Sequence, residues 1–229
     1  MSELKNRDLL LPYVLPYALY VLVASVPTDI LPREANYAVR LVLVGAALAW
    51  GWKRYSPLRG PGRVSISIGV GILAGLIGTV VWIALIQPFD PPAGVEWELL
   101  PFVLRVVAAV ALVPLFEELL LRGFVLRLVV QWGEAKRAGE EQPFGVALDE
   151  RSVNDVAPGA WTLLALVIST VLFALGHAEH EWVAAIAYGL LMAGLWILRR
   201  DLLTCVVAHA ATNGALAAYV MSRGAWELW

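Results

Sequence analysis

Hydrophobic residues run through this chain in long blocks that are separated by short polar stretches. About 20 apolar residues are needed to cross the hydrocarbon core of a bilayer, and seven blocks approach or exceed that length. They cover residues 9–26, 37–52, 65–87, 99–131, 160–177, 182–198 and 202–221. The fourth block is too long for a perpendicular span, so it is expected to tilt, to extend into the next loop or to split into two spans. The pattern predicts an all-α, polytopic membrane helix bundle with seven transmembrane helices, or eight if that block splits.

Composition agrees with a membrane protein. Of the 229 residues, 60% are hydrophobic and 16% are charged, which lies outside the range of soluble domains. The expected partner is therefore the lipid bilayer, and the net charge of -2 is too small to indicate a nucleic-acid partner or an electrostatic membrane anchor. The single cysteine excludes an intramolecular disulfide and a cysteine-rich metal site. The final residues Glu227-Leu228-Trp229 form no lipidation motif, so the protein itself is not expected to be prenylated.

Basic residues are distributed unequally between the loops. The stretches after the second, fourth and sixth blocks contain Lys53, Arg54, Arg59, Arg63, Lys136, Arg137, Arg151, Arg199 and Arg200. The intervening loops hold Arg33 as their basic residue, together with the acidic residues Asp90, Glu96, Glu98, Glu179 and Glu181. Because cytoplasmic loops are enriched in lysine and arginine, the pattern predicts a multi-pass protein with a cytoplasmic N-terminus and a C-terminus outside.

Three ionisable residues interrupt the fourth hydrophobic block: Glu117, Glu118 and Arg122. Such residues cost several kcal/mol in lipid, so they must face protein or a wet cavity, and they are candidates for a functional site. On a helix, Glu118 and Arg122 lie four residues apart with the acid first, which favours a structural ion pair. Glu117 is turned by about 100° from Glu118 and has no local partner. It is therefore the carboxylate that is free for chemistry.

Three further polar residues occur in the later blocks. His177 ends the fifth block, and His209 and Asn213 lie four residues apart in the seventh. A helix rises 1.5 Å per residue, which places these groups and Glu117 within a layer about a dozen Å thick. They can therefore line one cavity. Because His209 lies nearer the cytoplasmic face, that cavity is expected to open laterally or towards the cytoplasm.

A carboxylate, two imidazoles and a carboxamide in one water-poor cavity suit the hydrolysis of an amide bond. Glu117 can take a proton from water while His177 orients that water or shares the proton. His209 and Asn213 can donate hydrogen bonds to the oxyanion that develops on the scissile carbonyl. The same groups can hold zinc, but the ligands come from separate helices, no His-Glu-x-x-His motif is present and asparagine is a poor zinc ligand. We therefore expect no cofactor, with zinc as the minor alternative.

Structural roles for the same residues stay open. His177 can cap a helix end, and His209 and Asn213 can form hydrogen bonds between helices, each worth about 1 kcal/mol or less. Cys205 lies one turn before His209 on the same helical stripe. It is either a small packing residue or a candidate for the lining of the cavity.

Two arginines and a group of glycines also lie in or near the hydrophobic blocks. Arg40 and Arg105 are expected to reach the interface or to pair with a buried carboxylate. Small residues let helix backbones approach closely. The third block is therefore expected to pack tightly through Gly69, Gly71, Gly75 and Gly78.

The polar motifs resemble those of a known family, the CPBP family. They are Glu117-Glu118-x-x-x-Arg122, Phe173-x-x-x-His177 and His209-x-x-x-Asn213, in this order on separate hydrophobic helices. The family contains the CAAX prenyl endopeptidases and their bacterial relatives, including bacteriocin-processing and self-immunity proteins. The resemblance covers about residues 98–221 and implies a catalytic helix core there. Residues 1–97 form N-terminal transmembrane helices of unassigned role in the same membrane domain.

The resemblance implies a glutamate-type intramembrane protease that does not depend on a metal. In this family pattern, Glu117 and His177 activate water, and His209 and Asn213 form the oxyanion site. Glu118 and Arg122 support the site, and Phe173 is a candidate for its lining. The substrate would be a membrane-tethered protein or peptide, for which the family prototype is a prenylated CaaX peptide.

Two alternatives remain open. The first is a catalytically inactive relative that acts as an immunity factor or as a scaffold that binds a partner. The second is a proton-coupled transporter with Glu117 as its relay, which leaves the pattern His209-x-x-x-Asn213 unexplained. The sequence does not indicate an oligomeric state.

Overall fold

The computed structural model describes residues 4–89 and 92–229, so Asp90 of the acidic loops lies outside the described residues. In this part of the chain all regular structure is helical, which confirms the predicted all-α class. The helices are α1 (Asn6–Ala24), α2 (Arg33–Gly51), α3 (Val64–Ile86), α4 (Leu99–Arg137), α5 (Pro143–Asp149), α6 (Leu163–Leu175), α7 (Trp182–Arg199) and α8 (Leu202–Arg223). Short 3-10 turns cover Trp52–Arg54, Gln87–Phe89, Val153–Asp155, Glu179–Glu181 and Trp226–Leu228.

Five helices are long and apolar enough to cross a membrane, namely α1, α3, α4, α7 and α8, and they define a multi-pass membrane protein. The two other predicted spans correspond to α2 and α6. Helix α6 has only 13 residues, or about 20 Å. Helix α2 has 19 residues, but Arg33, Glu34 and Arg40 make it less apolar than the others. The prediction of seven spans is therefore confirmed for five helices.

Helix α4 is continuous over 39 residues, so the fourth hydrophobic block is not split. Two of its segments, Ala108–Leu112 and Leu119–Val125, are wound as wider π turns. Pro114 lies just after the first wide segment, and it lacks the N–H that a regular helix needs. Glu117 and Glu118 lie between the two wide segments. Wide turns of this kind are frequent at functional sites, because they change the direction in which side chains project.

The helices share one hydrophobic core. Each helix contributes at least one buried apolar side chain, for example Leu9, Val44, Ala74, Phe116, Ala147, Phe173, Met192 and Leu202. The first three helices, for which the sequence indicates no role, therefore belong to the same packed body as the helices with the polar motifs.

The basic loops meet at one end of this body. The backbone N–H of Asn6 donates to the carbonyl of Arg151 at 2.9 Å, and the N–H of Leu203 donates to the carbonyl of Leu58 at 2.9 Å. These bonds join the N-terminal tail to the loop after α4, and the loop after α2 to the loop after α7. The four segments that carry most of the basic residues therefore lie on the same side of the bundle.

Two arginines near the opposite end stack on aromatic rings. The guanidinium of Arg105 lies 5.0 Å from the ring centroid of Trp97 and 4.5 Å from that of Trp229. The guanidinium of Arg40 lies 4.4 Å from the ring centroid of Tyr37. Among the described residues neither arginine pairs with a carboxylate, so that of the two expected alternatives, reaching the interface or pairing, the pairing is not seen. Aromatic faces, which also attract cations, contact both guanidinium groups.

A proline within α1 removes one backbone hydrogen bond of the helix, and a side chain replaces it. Pro16 has no N–H, so the carbonyl of Pro12 loses its usual donor four residues along the chain. The hydroxyl of Tyr55 donates to that carbonyl at 2.9 Å. Burial raises the pKa of Tyr55 to about 12, so the hydroxyl keeps its proton at neutral pH. A side chain from a loop thus replaces a missing backbone donor.

Helix α3 packs directly against the backbone of α8, which confirms the close contact predicted from its glycines. A Cβ atom added at Gly75 would collide with the carbonyl oxygen of Ala208, and one added at Gly71 would lie 2.8 Å from Val207. The hydroxyl of Thr212 donates to the carbonyl of Gly75 at 2.9 Å. Helix α3 therefore fixes the position of the part of α8 that carries the predicted site residues.

Candidate active site

The predicted ion pair of Glu118 and Arg122 is present in the middle of the bundle. The Nη1 atom of Arg122 lies 3.3 Å from Oε2 of Glu118, and both side chains are fully buried. The Nη2 atom of Arg122 also donates to the carbonyl of Gly189 in α7 at 3.0 Å. Buried charges need partners of opposite charge or hydrogen bonds. The pair therefore fastens α4 to α7.

The same carboxylate holds His209. The Nδ1 atom of His209 lies 3.1 Å from Oε1 of Glu118. An ionised carboxylate only accepts hydrogen bonds, so Nδ1 carries a proton and donates it to this bond. Helical spacing predicted only the pair of Glu118 with Arg122, because residues 91 positions apart leave no spacing signal.

Glu117 lies beside a cavity of about 220 Å³. The other residues around this cavity are Tyr17, Leu120, Leu121, Val125, Leu172, Phe173, Leu175 and Gly176, so its wall is mostly apolar. The Oε2 atom of Glu117 is buried without a hydrogen-bond partner among the described residues. It lies 4.0 Å from Nε2 of His209. This separation is too long for a direct hydrogen bond and is suited to a bridging water.

A second cavity, of about 310 Å³, contains the other three predicted polar groups: His177, His209 and Asn213. The two cavities have Phe173 as a common wall. The ring centroid of Phe173 lies 4.6 Å from that of His177 and 6.0 Å from that of His209. The structure therefore gathers the predicted residues around Phe173, with Glu117 facing the apolar cavity and the other three facing the polar cavity.

His177 follows the C-terminal end of α6 and is fixed by its own helix. Its Nδ1 atom lies 2.8 Å from the carbonyl oxygen of Phe173. A carbonyl can only accept, so Nδ1 carries the proton and Nε2 of the neutral ring is left as an acceptor. The ring also packs against Trp82 of α3, with centroids 5.2 Å apart. His177 thus caps the helix, as the structural alternative supposed, while it presents a basic nitrogen.

Asn213 is anchored to the first wide segment of α4. Its Nδ2 atom donates to the carbonyl of Ala109 at 2.7 Å. A carboxamide has two N–H groups, so one of them remains for the polar cavity. The bond between helices that the structural alternative proposed is present, and it leaves a donor for chemistry.

Cys205 does not take part in either cavity. It is fully buried, and its Sγ atom lies 3.6 Å from the carbonyl oxygen of Met192. It is absent from the residues that surround the two cavities. The thiol turns towards α7 rather than towards the site, so its role is packing between α7 and α8.

Tyr188 is a part of the site that the sequence analysis missed. Its ring centroid lies 5.7 Å from that of His209, and its hydroxyl donates to Oγ1 of Thr212 at 2.9 Å. It lines the polar cavity from α7. A tyrosine in an apolar helix has no spacing that distinguishes it from ordinary packing, so no sequence signal marked it.

The polar cavity reaches the end of the bundle that carries Glu181 and Trp229. The polar cavity therefore extends towards the acidic end. The apolar cavity beside Glu117 is lined by Leu172 and Leu175, which are exposed on the side of the bundle. The expected opening of the site, laterally or towards the basic loops, stays a prediction.

Metal ligation is not favoured by this arrangement. Within residues 4–89 and 92–229, no three side chains of His, Cys, Asp or Glu are grouped so that they could hold a metal ion. Glu118, the carboxylate nearest to His209, is already bound to Arg122. The set of ligands that the zinc alternative requires is therefore not assembled in this part of the chain.

Comparison with known proteins identifies the region that carries the site. No curated protein and no solved structure matches the chain. A family model described as type II CAAX prenyl endopeptidase Rce1-like matches residues 99–215, which begin at α4 and contain Glu117, His177, His209 and Asn213. The match covers more than half of the chain and agrees with the resemblance of the three motifs. The protein belongs to the Rce1-like type II CAAX prenyl endopeptidase family.

Proposed function

We propose that the protein is an intramembrane endopeptidase that hydrolyses a peptide bond in a membrane-tethered, lipidated protein. The observation that carries this proposal is the 4.0 Å separation between Oε2 of Glu117 and Nε2 of His209. On one side of this gap lies a carboxylate oxygen without a hydrogen-bond partner, and on the other side lies an imidazole whose second nitrogen is held by a hydrogen bond. A water molecule that hydrogen-bonds to both atoms would lie beside this gap.

Glu117 and His177 would activate the water. A carboxylate oxygen without a hydrogen bond is available to take a proton, and Nε2 of His177 is a second acceptor across Phe173. The water oxygen would form a bond to the scissile carbonyl carbon while its proton passes to Glu117. When the carbon–nitrogen bond then breaks, that proton would return to the leaving amine. No metal is needed in this sequence of steps.

His209 and Asn213 would stabilise the tetrahedral intermediate. Glu118 holds the Nδ1–H of His209 and so fixes the direction of the ring; in the imidazolium form, with both nitrogens protonated before the water reacts, the Nε2–H would donate a hydrogen bond to the oxyanion. Asn213 has one N–H left beside its bond to Ala109. Donors that are fixed before the reaction stabilise an oxyanion without reorganisation.

The two cavities suggest how a substrate would be divided. The cavity beside Glu117 is mostly apolar and suits an aliphatic side chain or part of a lipid group. The polar cavity suits the peptide backbone around the scissile bond. A lipidated peptide near the membrane, as family membership implies, would match both.

The contacts between loops support an orientation in the membrane. Helices α2 and α6 connect the same two ends of the bundle as the five long helices. We therefore include them among the spans, which gives seven crossings. With the basic loops in the cytoplasm, the N-terminus would lie inside and the C-terminus outside.

Replacing Glu117 by glutamine tests the proposal. Glutamine keeps the shape of the side chain but cannot take a proton, so cleavage of a lipid-anchored fluorogenic peptide in proteoliposomes should fall at least about a hundredfold. The unfolding transition of the variant should stay close to that of the wild type. Addition of a metal chelator should leave the wild-type rate unchanged.

Glu140→Gln is the matched control, because Glu140 is exposed in the loop after α4 and should tolerate the same change. An equal rate for Glu117→Gln and wild type would contradict the role of Glu117. A wild-type protein that binds the peptide but never cleaves it would point to the inactive scaffold instead.

A further inference from the structure

Arg105 lines the polar cavity but has no role in the proposed reaction. It lies on α4, three helical turns before Glu117. In the described part of the chain, its guanidinium forms no ion pair, and no hydrogen bond from it is seen to another side chain or carbonyl. Arginine carries five N–H donors in a planar arrangement. A permanent cation with free donors therefore faces the cavity that contains His177 and His209.

Aromatic stacking holds this cation in place. The guanidinium lies between the rings of Trp97 and Trp229, at 5.0 and 4.5 Å from their centroids. Stacking on ring faces stabilises the charge and leaves the N–H groups at the edge of the guanidinium free. Trp229 lines the same cavity, so the stack is part of its wall.

The charge of Arg105 is not neutralised inside this cavity. The other formally charged residue of the lining is Glu181, whose Oε2 atom accepts the N–H of Ala178 at 3.0 Å. Glu181 and Arg105 form no ion pair. The polar cavity therefore offers an unmatched positive charge towards the acidic end of the bundle.

We propose that Arg105 is a specificity-determining residue that binds a carboxylate of the peptide substrate. This inference rests on the proposed function and names a chemical group that the substrate carries. The planar guanidinium can donate two parallel hydrogen bonds to a carboxylate, a geometry that gives both strength and selectivity.

The helix geometry sets the spacing between the carboxylate and the scissile bond. Asn213, which would contact the scissile carbonyl, is bonded to Ala109, one turn or about 6 Å along α4 from Arg105. An extended peptide advances about 3.3 Å per residue. The distance of about 6 Å corresponds to about two residues, and the length of the extended arginine side chain adds about two more, so the carboxylate should lie about two to four residues from the scissile bond.

Three peptides with the same sequence and lipid anchor test this inference. The first peptide ends in a free carboxylate three residues after the scissile bond. The second ends at the same position in a carboxamide. The third has an aspartate at that position, followed by a carboxamide. The wild type should cleave the first with a kcat/KM about tenfold or more above that of the second. In Arg105→Gln this preference should disappear. The third peptide distinguishes a chain terminus from an acidic side chain as the source of the carboxylate.

Arg33→Gln is the matched control. Arg33 stacks on the same Trp97 ring at 4.6 Å, but it is not among the residues that line the polar cavity. It should keep the full preference for the carboxylate. Equal losses on the first two peptides in Arg105→Gln, or no preference in the wild type, would overturn the inference.

Binding measurements test this inference independently of whether the protein cleaves peptides. Affinities of the same peptides are measured with Glu117→Gln and with the double variant Glu117→Gln/Arg105→Gln. A carboxylate preference that needs Arg105 supports the subsite even if the wild type cleaves nothing. Equal affinities of Glu117→Gln for the free-acid and carboxamide peptides would overturn it.

A second, independent inference comes from the wide turn in α4. At the end of that segment the N–H of Val113 bonds to the carbonyl of Ala108, five residues earlier. The next bond of this pattern would join residue 114 to the carbonyl of Ala109. Residue 114 is proline, so that carbonyl has no backbone donor. Asn213 takes the vacant position at 2.7 Å.

We infer that Pro114 is a positioning residue for Asn213. By withholding an N–H, it keeps the Ala109 carbonyl available, and this carbonyl orients the carboxamide towards the polar cavity. The bundle uses the same principle in α1, where the hydroxyl of Tyr55 replaces the donor that Pro16 lacks.

Pro114→Ala tests this role because it should change stability and activity in opposite directions. Alanine supplies the missing N–H and removes a helix-breaking residue, so the thermal midpoint should rise. The new backbone bond competes with Asn213, so kcat should fall about tenfold while KM changes little. A purely structural role for Pro114 would not couple a higher midpoint to a lower kcat.

Pro101→Ala is the control, because Pro101 lies in the first turn of α4, where backbone N–H groups have no helical partner. It should leave kcat unchanged. In an Asn213→Ala background, Pro114→Ala should have no further effect on kcat. An unchanged kcat in Pro114→Ala alone, or a further loss in that background, would overturn the inference.

Discussion

Replacement of Arg122 by methionine is expected to cause a large loss of stability. The change leaves the carboxylate of Glu118 fully buried without its cation and also removes the hydrogen bond to Gly189. Breaking a buried pair by deleting one partner costs about 3–5 kcal/mol. Unfolding of the purified protein in mixed micelles with increasing denaturing detergent measures the loss.

The double variant Glu118→Gln/Arg122→Met separates charge from packing. Removing both charges avoids the unpaired carboxylate, so this variant should recover much of the lost stability. It should still be nearly inactive, because His209 would face a neutral amide in place of the carboxylate that fixes its Nδ1–H. A single Arg122→Met variant as stable as the wild type would show that the ion pair does not hold the fold.

Gly75→Ala should destabilise the protein by about 1–3 kcal/mol, although it adds only one methyl group. That group would collide with the carbonyl oxygen of Ala208, which is backbone and cannot rotate away. Helix α8 must shift to make room, and His209 follows Ala208 directly. The variant should therefore lose both thermal stability and kcat in the reporter assay.

Gly69→Ala provides the comparison on the same helix. A Cβ atom there meets nothing within 4 Å. Alanine favours helix over glycine by up to about 1 kcal/mol, so this variant should be as stable as the wild type or slightly more so. If both glycine variants behaved alike, close contact between α3 and α8 would not explain the effect.

Sequence patterns predicted the elements of this site that depend on local spacing. The ion pair of Glu118 and Arg122 follows from helical geometry, and the glycines of the third block indicated tight packing. The three motifs led to the family that the match to residues 99–215 establishes. In each case the residues that form the pattern lie within a few positions of one another in the sequence.

Contacts between distant helices could not be predicted in the same way. The bond between Glu118 and His209 depends on how α4 and α8 face each other, and no local pattern encodes this. Phe173 as a wall between two cavities depends on the packing of several helices. The anchor of Asn213 could not be predicted either, because in a regular helix Pro114 would leave the carbonyl of Val110 without a donor, and only the wide turn moves the vacancy to Ala109.

The short helix α6 explains why the number of spans was harder to predict than their type. Hydrophobic residues continue on both sides of it, so the block 160–177 looked like a complete span. The helix itself covers only Leu163–Leu175, and the chain then turns to present His177. The helix ends at Leu175, and the turn that follows places the imidazole of His177 beside Phe173.

The glycine face of α3 limits how this protein could be recombined with its relatives. The segment that defines the family begins only at residue 99, yet its last helix fits a groove whose floor is the bare backbone of α3. A chimaera that grafts foreign N-terminal helices onto residues 99–229 would need small residues at the positions of Gly71 and Gly75. Without them, the transplanted helices would push His209 and Asn213 out of alignment, even though every motif residue was kept.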